Sequence, residues 1–292
     1  MAQLFIRRSL STAAALMLMC VATNASAASY RFTTVDAPFV PVGQPRGDTY
    51  LFGINNFGDL VGIFADGGSR AFIKRNSKFK VINPPAGKIL QPTDINNAGV
   101  AVGIALDQAF NSHAFRYQDG SLSVFDYPSA GGTQAEGIND LGVIVGEYFG
   151  PSHGFTYSGS AFRTFDYPSP TVSQTAATGI NNFGDVVGNY VDANGVRGYL
   201  KSANRYSTIA FPGAVLTGAN AINSSGVIVG SYDNGSGYPR AFVLANGIFS
   251  DLDIPGAYQI TAEDINDQGV IVGNFGDGTG EHGYIARPVG LQ

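Results

Sequence analysis

The dipeptide Ile-Asn occurs six times at near-constant intervals, at Ile54, Ile95, Ile138, Ile180, Ile222 and Ile265, with spacings of 41, 43, 42, 42 and 43 residues. Each copy continues as I-N-x-x-G-x-x-V-G. A period of this size means one supersecondary unit copied end to end, each copy burying its apolar face against the next. The residues before Ile-Asn are small or polar, as in 133–137 and 175–179, which suits a crowded inner strand. Asn-x-x-Gly reads as a tight turn, because Asn tolerates turn geometry and Gly supplies positive φ. Val143-Ile144-Val145 then reads as a strand buried on both faces. A third strand is expected from His153 to Tyr157, and a fourth from Phe162 to Asp166. Pro168 ends the unit, since Pro cannot donate to a ladder. Four short strands per repeat are the pattern of a β-propeller blade.

The chain ends support a closed ring. Tyr30 to Pro38 matches the fourth strand of the repeat, while the last repeat stops after its third strand near Ala286. An N-terminal strand that completes the last blade gives an all-β, six-bladed propeller with no open sheet edge. An open solenoid of the same units would not need a borrowed strand. Hydrophobic residues make up 44% of the 292, which is enough for a large core. The charged content of 13% with 12% aromatics argues against disorder. A net charge of −5 and a pI of about 5.1 speak against a nucleic-acid role.

The first 27 residues read as a secretory leader. Arg7 and Arg8 are its basic region, residues 13–22 its apolar stretch, and Ala25-Ser26-Ala27 its cleavage site. The expected domain layout is a signal peptide at 1–27 and a single propeller at 28–292, secreted or periplasmic after cleavage near Ala27. The only cysteine, Cys20, lies in the leader, so disulfide stapling of the mature chain is excluded.

With His113-Ala114-Phe115 following the second glycine, the repeat resembles the bacterial extracellular HAF-repeat family. The resemblance covers nearly all of the expected mature chain. It departs from the family where Tyr117 and Tyr157 replace a common Trp, and where Asp126-Tyr127-Pro128 replaces a Leu-Gly turn, so the chain resembles a divergent subgroup. The family implies an exported repeat protein and carries no catalytic residues across.

A basic residue opens every third strand: Arg70, His113, His153, Arg197, Arg240 and His282. Thirteen residues later, at the facing position of the hairpin, stand Asn83, Asp126, Asp166, Ala210 and Asp253, with Asp36 as the facing residue for His282. Cross-strand pairs His113–Asp126, His153–Asp166, Arg240–Asp253 and His282–Asp36 are therefore expected, and no zinc site. Arg197 faces Ala210 and is the cation most open to a ligand. Loops between second and third strands, and connectors between blades, share one face of the ring. They include Asp66-Gly67-Gly68, 107–112, 149–152, 192–195, 233–238 and 277–281. Their Asp and Gly content allows calcium, although turn chemistry alone explains it. Otherwise no cofactor is implied. Tyr127 and Tyr167, at strand ends near this face, are candidates for stacking on a sugar.

No Gly-x-Ser-x-Gly elbow, His-Glu-x-x-His motif or phosphate loop is present. Glu136 and Glu263, just before Ile-Asn on the inner strands, are the acid/base candidates if the chain is an enzyme. The leading expectation is a non-catalytic binding or scaffold module for an extracellular glycan or protein. The alternative is a propeller hydrolase or lyase acting on polysaccharide through channel or loop carboxylates. A monomer is expected, without a membrane span.

Overall fold

A computed structural model describes residues 29–38, 47–65 and 68–290. The leader with its cleavage site, and Asp66 and Gly67 of the first loop, lie outside the described residues. The chain forms six four-stranded antiparallel sheets, each a blade of a β-propeller. Blades 1 to 5 span residues 49–81, 89–125, 133–165, 174–209 and 216–252. Blade 6 takes three strands from 259–288 and its outer strand from Tyr30–Val35. That outer strand pairs in register from Tyr30 opposite Pro288 to Val35 opposite Gly283, so the two chain ends close the ring as the repeat phase requires. Among the described residues there is no helix, and hence none long and apolar enough to cross a membrane.

The repeat motif explains the closure residue by residue. The Asn side chain of each Ile-Asn caps its own turn. Asn139 Oδ1 accepts from the Leu141 and Val143 amides at 3.1 and 3.0 Å. Its Nδ2 donates to the carbonyl oxygen of Asn181 in the next blade at 3.1 Å. The same donation runs from Asn55 to Asn96, Asn96 to Asn139, Asn181 to Asn223, Asn223 to Asn266 and Asn266 back to Asn55, at 3.1 to 3.3 Å. Six buried amides thus form a closed ring around the axis. This place needs a side chain that both donates and accepts, which excludes an ionised Asp. The turn glycine adopts positive φ in each copy, +76° at Gly142.

The second motif glycine has a different cause. A Cβ on Gly146 would overlap the Gln134 carbonyl oxygen of the neighbouring inner strand and press on the Phe155 ring. The bare glycine lets that ring, fully buried, lie over the strand. The core is accordingly divided among the blade interfaces. Between blades 2 and 3, Val102 and Ala114 meet Ala135, Ile144 and Phe155.

Candidate functional site

Each inner strand carries one extra residue between two register pairs. The bulged residues are Phe52, Thr93, Glu136, Thr178, Asn220 and Glu263. A bulge re-aims its side chain, and here all six line one cavity on the ring axis, of about 170 Å³. Thr93, Thr178 and Asn220 use this position to donate to a carbonyl of the next blade, at 2.9, 2.7 and 2.9 Å. An ionised glutamate has no proton to donate there. Glu136 and Glu263 stand in blades three apart, on opposite sides of the axis. Burial, then the charges of Glu147 and Glu263, push the Glu136 carboxyl up to about 8. Burial also raises Glu263, against contacts with Thr261 and Asn274 that lower it.

The residue after the bulge is Gly or Ala in four blades and aspartate in blades 2 and 6. Asp94 accepts from the Ile138 and Ile95 amides at 2.7 and 2.6 Å, and Asp264 from the Ile54 and Ile265 amides at 2.7 Å each. Gly53 of blade 1, too close to the Asp94 Cα to carry a side chain, lies between these two blades. Burial raises both carboxyls, and the charge of Asp264 raises Asp94 further. These two aspartates do not figure in the expectations above. Aligning the six repeats on Ile-Asn exposes them, because Asp-Ile-Asn occurs in only two copies. The axial spaces, about 170 Å³ and about 30 Å³, fall below the roughly 300–1,000 Å³ of pockets that enclose organic ligands. Glu136 and Glu263 are thus set where a proton can be held and where a sugar chain does not fit.

The loop face is more open. His113 Nδ1 lies 2.9 Å from Asp126 Oδ2, His153 Nδ1 2.8 Å from Asp166 Oδ1, and His282 Nδ1 2.8 Å from Asp36 Oδ1. Arg240 is a correction to the expected series: among the described residues it closes no ion pair with Asp253. Both side chains are exposed, and an exposed Arg–Asp pair gains too little to offset the ordering of a long side chain. Arg197, half-buried opposite Tyr190, likewise has no ion-pair partner among the described residues. Arg70 lies over the Phe64 ring.

Tyr127 and Tyr167 join adjacent blades. Tyr127 stacks on Tyr148 with ring centres 3.7 Å apart, and Tyr167 on Tyr190 at 4.0 Å. Their hydroxyls meet Thr164 and Thr208 at 2.8 Å. Phe211 and Tyr232 repeat the stack at 3.7 Å. The loop aspartates are largely occupied by their own turns. Asp107, Asp192, Asp233 and Asp277 each accept from the amide two residues on, at 2.7 to 2.8 Å. Among the described residues no three His, Cys, Asp or Glu side chains converge as a metal site.

One pocket of about 330 Å³ opens on this face between blades 2 and 3. Asn111 and His113 line one side, and Asp126, Tyr127 and the glycine-rich connector to Thr133 line the other. The adjoining loop is organised by Asp107. Its Oδ1 accepts from the Ala109 and Asn111 amides, and its Oδ2 accepts from the Asn111 side chain at 3.0 Å and lies 3.6 Å from His113 Nε2. These hydrogen bonds lower the Asp107 carboxyl to about 2. They hold Phe110, next to Asn111, at φ +62° and 76% exposed. A bulky side chain at positive φ is strained, and strain of this kind gathers at functional sites. Phe110 is missing from the expectations above. The available signal is an aromatic residue three positions before the basic residue of the third strand, where the other repeats have Gly67, Gly150, Asn194, Gly237 and Thr279.

No protein-family model and no curated protein matches this chain. Solved structures match it in fold. AofleA from Arthrobotrys oligospora superposes with a TM-score of 0.52 at 11% identity, over 90% of this chain and 88% of that one. The Aleuria aurantia lectin, in complex with Fucα1-6GlcNAc, gives 0.52 at 14%, over 84% and 97%. Trypanosoma rangeli sialidase gives 0.54 at 8%, over 88% of this chain and 59% of that one. At these identities the likeness is one of architecture: the chain shares the β-propeller fold.

Proposed function

We propose that this protein is a non-catalytic binding module that holds an extracellular glycan in the loop-face pocket between blades 2 and 3. The observation that carries this reading is Phe110, an exposed aromatic residue held in a strained backbone conformation one position before Asn111, which lines a pocket of about 330 Å³. Sugar recognition needs these two parts. A flat apolar surface takes the C–H face of the ring, and convergent donors and acceptors take the hydroxyls. Asn111, His113 and Asp126 supply the second part, with the imidazole fixed between Asp107 and Asp126. Tyr127, already stacked on Tyr148, forms a wall of the pocket and does not act as a free platform. The Aleuria aurantia lectin, a propeller of similar fold, is seen with Fucα1-6GlcNAc, which makes neutral oligosaccharides the first ligands to test.

The test is a retention assay of parent and Phe110→Ala on immobilised neutral oligosaccharides. The expected result is retention of the parent and at least tenfold weaker retention of the variant, about 1.4 kcal/mol, at unchanged melting temperature. Equal retention of the two removes the pocket from the account.

A further inference from the structure

Six of the chain's 17 Lys and Arg fall within residues 67–93, which contain no Asp or Glu, so the other residues carry 11 basic against 22 acidic side chains. The segment is most of blade 1, where Asn83 stands at the position that is aspartate in three other hairpins. Arg75 pairs across its hairpin with Lys78, and Ile73 with Lys80, which sets Arg75, Lys78 and Lys80 on one side of the blade. Together they line a groove of about 600 Å³ whose other wall is Tyr117 and Asp119 of blade 2. Arg75 is tethered by Asp59 at 3.2 Å. Lys78 and Lys80 are exposed and have no ion-pair partner among the described residues. The basic surface continues around the rim. Arg31 lies directly opposite Arg287 in blade 6, and burial, followed by the nearby charge of Arg287, lowers the Lys74 ammonium. Like charges set opposite one another cost stability unless an anion meets them.

We propose that the groove between blades 1 and 2 binds an acidic polysaccharide, a chain bearing carboxylate or sulfate groups at regular intervals. Lys78 and Lys80 are two residues apart on one strand, about 7 Å, so the cations form a row that suits anions spaced along a polymer. On the facing wall Asp119 supplies an acceptor for sugar hydroxyls, while Tyr117 is buried in the core. An anionic bilayer fits less well. The groove is concave, and the centre of the same face carries exposed Asp140 and Asp267 around the channel mouth. The groove lies by the turns between third and outer strands, on the face away from the loop pocket, so the two sites fail or stand separately.

The test titrates the full chain with polygalacturonate at low salt. The parent is expected to bind, with affinity falling as salt rises. Lys78→Glu/Lys80→Glu is expected to lose at least tenfold and Lys78→Ala/Lys80→Ala a smaller factor, while Phe110→Ala binds as the parent does. Both lysines are exposed, and an unshifted melting transition verifies that the variants fold. Absence of parent binding overturns the proposal, as does undiminished binding by the charge-reversed variant. Loss of binding in Phe110→Ala moves the polymer to the loop pocket and overturns it as well. Equal affinity for phosphatidylserine vesicles or duplex DNA makes the groove an unselective polyanion surface, and the polysaccharide assignment fails.

Discussion

The side-chain amide of Asn139 donates to the main-chain oxygen of Asn181, 42 residues and one blade away, at 3.1 Å. This contact is one link of a six-membered ring, and it explains why Ile-Asn is the most regular feature of the chain. Asn139→Asp keeps the two acceptor contacts within the turn. It removes the donor and sets a carboxylate against the Asn181 oxygen. Stability should fall by about 1–3 kcal/mol, the cost of an unsatisfied buried group. Urea unfolding of parent and variant checks this, and coincident midpoints would reduce the ring to an accident of geometry.

Two glycines of the same repeat should respond differently to alanine. Gly142 has φ +76° and open space where an added methyl group would stand, so Gly142→Ala costs only the backbone strain, about 1 kcal/mol. Gly146→Ala forces a methyl group into the Gln134 carbonyl and the Phe155 ring. It should cost about 1–3 kcal/mol or more, as overpacking does. Thermal melts of the two variants should rank in that order.

The channel glutamate predicts a pH dependence with a definite sign. The Glu136 carboxyl is held up to about 8 in the folded chain against an ordinary value of 4.5. Between these values the unfolded chain has released the proton and the folded chain retains it, so this group lowers stability progressively as pH rises through that window. Below about pH 4.5 both states are protonated and the penalty is absent. Glu136→Gln should therefore be more stable than the parent near pH 8, with the gap closing toward pH 4.5. Melting temperatures of both proteins across that range decide it; a gap independent of pH would mean that the carboxyl is ionised in the channel.

Phe110 should show opposite effects on stability and binding. At φ +62° a phenylalanine carries strain that glycine does not. Phe110→Gly should raise stability by up to about 1 kcal/mol and weaken glycan retention at least tenfold. A variant that is less stable than the parent would place Phe110 in the packing of the loop.

Much of this architecture is legible in the primary structure because a closed repeat leaves the same residues at the same phase in every copy. Blade number follows from counting Ile-Asn, and closure from the match of Tyr30–Val35 to the outer strand. The facing of His153 and Asp166 follows from antiparallel register once Tyr157 is set opposite Phe162. The bulges are not legible in this way. One extra residue in an inner strand leaves its alternation looking ordinary, so nothing in the composition near Glu136 tells that its side chain turns onto the axis. The channel aspartates are hidden by the regularity itself, which draws attention to Ile-Asn and away from the residue before it. Arg240 shows the limit of register: it places two side chains opposite each other, and solvent and side-chain entropy determine whether they close. Phe110 depends on a loop conformation set by Asp107, which the repeat period does not encode.

The most direct measurement incubates the full chain with immobilised neutral oligosaccharides and records protein retained and sugar released in the same wells, for parent, Phe110→Ala and Glu136→Gln. The binding account predicts retention of the parent with no released product, loss of retention in Phe110→Ala, and unchanged retention in Glu136→Gln. Released product that disappears in Glu136→Gln would contradict it and make the channel, not the loop face, the working site of the protein.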